Sequence, residues 1–197
     1  DGQVTVQKWL KLETDKNGNG VYPAVTVELY RTYPSADPDT DPELVATHTW
    51  DSEDVRTAFN RAETINTVDG WVLLDPHTFT DLPIYAVNGE TYQYSFAENK
   101  DQLKGYDTWV TNGPVGYDSL KSAMVDDNKG AESGKFPAAG DADVDATFIN
   151  QYNTPTIALQ GTKEWQDWEN NKFRPEIEDG KVKGITLQVT RTAASQD

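Results

Sequence analysis

Apolar and polar residues alternate with a period of two over short stretches along most of the chain. VTVQKWLKL (4–12), AVTVELYRT (24–32), ELVATHTW (43–50), GWVLL (70–74), ETYQYSFAE (90–98) and ATFINQY (146–152) are rich in Val, Thr and aromatics. Turn clusters such as DKNGNG, DPDTDPE, DLP and VNGE separate them. Alternation of this kind puts every second side chain on one face of a strand, and many short strands predict an all-β antiparallel sandwich. One helix is expected near Ser52–Ala62, with Ser52 as its cap and Val55, Phe59 and Ala62 on one face. A second, shorter one is expected over Asp118–Val125.

Three of these strands carry a polar residue on an otherwise apolar face. In the first, Val4, Val6, Lys8, Leu10 and Leu12 share a face, and Thr5, Gln7, Trp9 and Lys11 occupy the other. In the fifth, Tyr92, Tyr94, Phe96 and Glu98 alternate. In the sixth, Asn150 sits between Phe148 and Tyr152. Each alone has an ordinary explanation: a lysine that snorkels to water, a glutamate at an exposed strand end, an asparagine at a bulge. Together they are chemically complementary, an amine, a carboxyl and a carboxamide, and an isolated buried charge costs several kcal/mol.

Hydrophobic residues make up 36% of the 197 positions, enough for a packed core. The net charge of −16, from 33 acids and 17 bases, argues against nucleic acid or an anionic membrane as partner, since both require clustered Lys and Arg. The acids are scattered through turns such as ADPDTDPE and AGDADVD, the pattern of a solvated surface. There is no cysteine, so an exported form must be stabilised by something other than disulfides. No apolar run reaches membrane-spanning length and no signal-peptide pattern opens the sequence, which reads as a mature fragment.

A weak internal repeat divides the chain. VTVQKW, a polar loop ending at Pro23 and AVTVELYRT are echoed by IALQGTKEW (157–165), a loop with Arg174 and Pro175, and GITLQVTRT (184–192). The expected domains are therefore residues 1–154 and an incomplete second module over 155–197. Repeated modules suggest a stalk or array more than a single active site.

VTVQKW, FTDLPIYAVNGETYQYSFAE and ATFINQYN resemble the strands of Cna B-type (collagen-adhesin B) domains of Gram-positive surface adhesins and pilins. The resemblance rests on the lysine after V-x-V-x, the F-x-x-L-P…G-x-x-Y-x-Y-x-x-x-E run and the F-I-N-x-Y strand, and covers about residues 3–154. It implies an Ig-like sandwich with an internal isopeptide bond between Lys8 and Asn150, promoted by Glu98. Family members commonly read K-x-W in the first strand, as in Lys163–Trp165, whereas Trp9 follows Lys8 directly. Lys11, on the face of Trp9, is thus a rival lysine. Lys163 would be the cross-link lysine of the second module. The roughly 50 residues between Glu98 and Asn150 are long for the family and imply an insertion over 99–145.

Burial would lower the pKa of Lys8 and raise that of Glu98, leaving a nucleophilic amine beside a protonated acid. The acid would polarise the Asn150 carbonyl and carry a proton to the departing ammonia. Such a bond turns over no substrate and needs no cofactor or metal. It would tie first strand to last, fitting a stalk or adhesin module of a secreted, cell-wall-anchored bacterial protein whose neighbours are further modules of the same chain. The alternative is a β-sandwich that binds a glycan or other host ligand without a cross-link, with Trp50, Trp71 and Trp109 as a stacking platform. The order Asp15, Asn17, Asn19, Gly20 resembles the start of an EF-hand loop, but the twelfth position is Thr26, which favours a plain turn. With two histidines, no cysteine and no G-x-S-x-G elbow, a conventional hydrolase is not expected.

Overall fold

The computed structural model describes residues 1–15, 17–64, 70–138, 140–141 and 143–153, and beyond these 160, 177–178, 181–182 and 188–190. The chain forms two compact units, Asp1–Pro155 and Thr156–Asp197. In the second, a short hairpin pairs Ile177–Glu178 with Lys181–Val182; Lys163 lies outside the described residues.

The first unit is a sandwich of two sheets. One contains β1 (Gly2–Lys11), β4 (Trp71–Leu82), β6 (Tyr106–Asn112) and β7 (Val144–Tyr152) in the order β4-β1-β7-β6. The other contains β2 (Val25–Thr32), β3 (Glu43–Trp50) and β5 (Gln93–Glu98) in the order β3-β2-β5. Val4, Val6 and Leu10 of β1 meet Val25, Val27 and Leu29 of β2 in the core between them, as the alternation predicts.

The pairing is not wholly antiparallel. β1 and β7 run parallel, with Lys8 opposite Phe148 and Leu10 opposite Asn150. A parallel pair cannot be joined by a hairpin and needs a long crossover; here the crossover is the rest of the unit. The first and last strands are therefore central neighbours in one sheet.

β4 runs well past the expected 70–74. Pro76 lies within it, at little cost because β4 is an edge strand. Two irregularities in its register with β1 absorb the break in alternation. β6 is not among the expected strands, since Tyr106, Thr108 and Val110 share one face while the apolar Trp109 on the other blurs the alternation. The helix α1 (Ser52–Thr64) is capped by Asp51, not by Ser52: the Asp51 carboxylate accepts from the amides of Glu53 and Asp54. The second helix, α2 (Leu120–Ala123), is a single turn preceded by a 3-10 turn at Tyr117–Ser119.

The 99–145 region is folded structure. It supplies β6 and then covers the outer face of the β4-β1-β7-β6 sheet, where Trp9, Trp71, Trp109 and Ile149 pack with Val115 and Leu120 in a second apolar cluster. Both faces of the central strands are thus buried.

Candidate functional site

Lys8 and Asn150 project from the inner face of β1 and β7 into the core, and each is 0% exposed. Glu98 reaches them from the facing sheet, at the last position of β5, opposite Val27 of β2. Alternation dictates all three directions: Lys8 follows Val4 and Val6, Glu98 follows Tyr94 and Phe96, and Asn150 follows Ala146 and Phe148. The sandwich therefore places side by side three groups that are 52 to 142 residues apart in sequence.

Glu98 bridges the two nitrogens. Its Oε1 contacts Lys8 Nζ, and its Oε2 accepts from Asn150 Nδ2 at 2.9 Å. The side chains of Lys8 and Glu98 are fully buried. The Phe148 ring lies 5.7 Å from Lys8 Nζ, with Phe96 and Tyr94 buried nearby in the same core. Burial holds the Lys8 amine well below its ordinary pKa, because the charged form is deprived of water.

The carboxamide is held on one side only. Nδ2 donates to Glu98 and, at 2.8 Å, to the Thr108 hydroxyl of β6, whereas Oδ1 is buried with no hydrogen-bond partner. This differs from the expected contact between Glu98 and the carbonyl oxygen. The carboxyl group instead spans the amine that would attack and the nitrogen that would leave. Thr108 was not anticipated, because it lies on the unexpected strand β6.

Lys11, the rival lysine, is on the opposite face of β1, with its Nζ 5.9 Å from the centre of the Trp71 ring. Trp50, Trp71 and Trp109 are buried in the two apolar clusters and so make no exposed stacking platform. Asp15 closes a turn through the amides of Asn17 and Asn19. Among the described residues no group of three or more His, Cys, Asp and Glu could hold a metal ion, and no helix is long and apolar enough to cross a membrane.

Comparison with known proteins decides the family. Residues 4–118 match the Cna protein B-type domain. The chain belongs to that family. The matched span of this Cna B-type domain takes in Lys8 and Glu98 and stops before Asn150. Among solved structures, a mutant of the major pilin from Streptococcus pyogenes matches at a TM-score of 0.32 and 12% identity, over 78% of this chain and 49% of the pilin. The chain thus spans about half the length of that pilin. A search of curated proteins finds none that matches.

Proposed function

We propose that residues 1–154 form a stalk or adhesin module of a bacterial surface protein, stiffened by a self-made isopeptide bond from Lys8 to Asn150. The observation that carries this reading is the bridging of Lys8 Nζ and Asn150 Nδ2 by one buried carboxyl group. Membership of the Cna B-type family supports the structural role.

The reaction balances without a cofactor. Neutral Lys8 Nζ attacks Asn150 Cγ, the Cγ–Nδ2 bond breaks, and ammonia leaves. Of the two amine protons, one stays on the new amide and the other passes through Glu98 to the departing nitrogen, so Glu98 acts as base and then acid. Burial supplies the neutral amine, and confinement supplies proximity, worth up to roughly 7–11 kcal/mol in favourable cases. The protein modifies itself once and turns nothing over.

The bond would join two central strands that run side by side in the same direction. Tension applied at the two ends of the module would pass through it and spare the residues between. The repeat from residue 157 supports reading 155–197 as the start of a second such module, with Lys163 as its lysine. Membership of the family supports placement on the Gram-positive cell surface.

The deciding experiment is the intact mass of the denatured chain beside a Glu98→Ala control. A deficit of about 17 Da, one ammonia, in the parent and full mass in the variant are expected. Fragmentation should assign the link to Lys8 and not to Lys11. Full mass in the parent would end the cross-linking reading and leave a binding sandwich as the remaining function.

A further inference from the structure

The mechanism above uses three side chains, but the carboxamide of Asn150 has a fourth neighbour. Thr108 stands directly across from Asn150 in the antiparallel β6–β7 pair, so the two side chains share the inner face of the sheet. Its hydroxyl lies 2.8 Å from Nδ2. With Glu98 on the same nitrogen and no partner on Oδ1, these two contacts are the hydrogen bonds that set the plane of the carboxamide.

We propose that Thr108 is a positioning residue for isopeptide formation: it orients the Asn150 carboxamide for attack by Lys8 and holds the leaving nitrogen in place. This inference rests on the Lys8–Asn150 reading and extends it. A carboxamide turns easily about its last bond. Glu98 alone could not keep it still, because the same carboxyl must take a proton from Lys8 and give one up during the reaction. The Thr108 hydroxyl has no such duty. It is both donor and acceptor, so it can stay bonded to the amide whichever way the proton on Glu98 has moved.

Thr108 also lies on a side of the site that leads outward. Lys8 and Asn150 are sealed, whereas Thr108 is only half-buried and lines a cavity of about 430 Å³ with Lys100, Leu103, Tyr106 and Lys129. The nitrogen bound to Thr108 is the one expelled as ammonia. The cavity beside Thr108 offers it one way out; Glu98, which holds the same nitrogen, lines a second cavity of about 880 Å³.

The test is a rate measurement on the full chain. Protein kept in urea from its synthesis is diluted into buffer, and the 17 Da loss is followed by intact mass while near-UV circular dichroism follows folding. Thr108→Val, equal in shape but lacking the hydroxyl, should fold with the parent and cross-link at least tenfold more slowly. Thr108→Ser, which restores the hydroxyl, should cross-link within about threefold of the parent. Equal rates for Val and parent would overturn the proposal and leave the cross-link standing, and so would a serine variant as slow as valine. If Val prevents folding, Thr108→Ala against Thr108→Ser gives the same contrast: a fast alanine variant overturns the proposal and a slow one upholds it. A parent that never loses 17 Da would overturn the underlying cross-link reading, a different outcome from any of these.

Discussion

The two faces of the β4-β1-β7-β6 sheet both bury polar side chains, with opposite consequences. On the outer face Gln7 Oε1 accepts from the Val115 amide and lies 2.9 Å from the Thr147 hydroxyl, itself 2.7 Å from the Gly113 carbonyl. Trp9 Nε1 donates to the Val115 carbonyl at 2.7 Å. These are neutral groups tied to the segment that covers them, so they fasten the 113–120 stretch onto the sheet. On the inner face, an amine and a carboxyl share a dry core with a carboxamide whose oxygen has no partner. A satisfied buried network rigidifies a structure, while an incompletely satisfied one is costly. The inner face holds groups in a costly state, which the proposed bond would relieve: the amine would lose its capacity for charge and the excess nitrogen would depart.

The comparison breaks most visibly if the inner trio is cut. Asn150→Ala should remove the 17 Da deficit and lower unfolding stability by an amount on the order of 5 kcal/mol, the loop-closure value for a covalent link across a comparable span. Mass and denaturant unfolding of parent and variant check this. An equal loss of stability with the mass deficit still present would place the link elsewhere.

Cutting the outer network should cost less and leave the chemistry alone. Thr147→Val removes the hydroxyl bonded to the Gly113 carbonyl, while Gln7 Oε1 keeps the Val115 amide, and should cost about 1–3 kcal/mol with the 17 Da deficit retained. Loss of the deficit in this variant would mean that the two faces are coupled.

The rate of cross-linking should respond to pH on the inner face only. Because burial holds Lys8 well below its ordinary pKa, its neutral fraction rises with pH through that lowered value and saturates before the unperturbed value of about 10.5. Chain diluted from urea over a pH series should cross-link faster as pH rises and then reach a plateau. A rate that still climbs at the unperturbed lysine pKa would show an exposed amine.

The smallest effect belongs to a third place where polar rings are stacked, the seam between β3 and β4. His48 and His77 lie face to face with centroids 3.6 Å apart, beside Trp50, Asp54, Arg61 and Asp75. Burial lowers both pKa values, and for His48 the proximity of His77 adds to this while Asp54 opposes it. The unfolded chain therefore binds more protons between the lowered values and about 6.5, so stability falls as pH drops from about 6.5 towards them. The thermal midpoint of the parent should fall by a few degrees more than that of His48→Gln across this range. Parallel curves would remove the pair from the account.

Much of this architecture was legible in the chain because a strand that buries one face must repeat every second residue. That rule alone picked out Lys8, Glu98 and Asn150, each as a polar interruption of an apolar series, and it separated Lys8 from Lys11 by face. The resemblance to Cna B-type domains turned three interruptions into one expectation of chemistry. What local pattern could not carry was pairing between distant segments. The parallel partnership of β1 with β7 depends on strands more than 130 residues apart. β6 was overlooked because its outer face is covered by its own insertion, so Trp109 replaces a polar residue there and the alternation blurs. With β6 went Thr108, which only its cross-strand partner Asn150 makes meaningful. The sequence by itself determined which residues face inward, since that follows from the geometry of one strand. Only the tertiary structure decided which of them meet and that Glu98 bridges the nitrogens instead of touching the carbonyl oxygen, because those contacts depend on how two sheets are stacked.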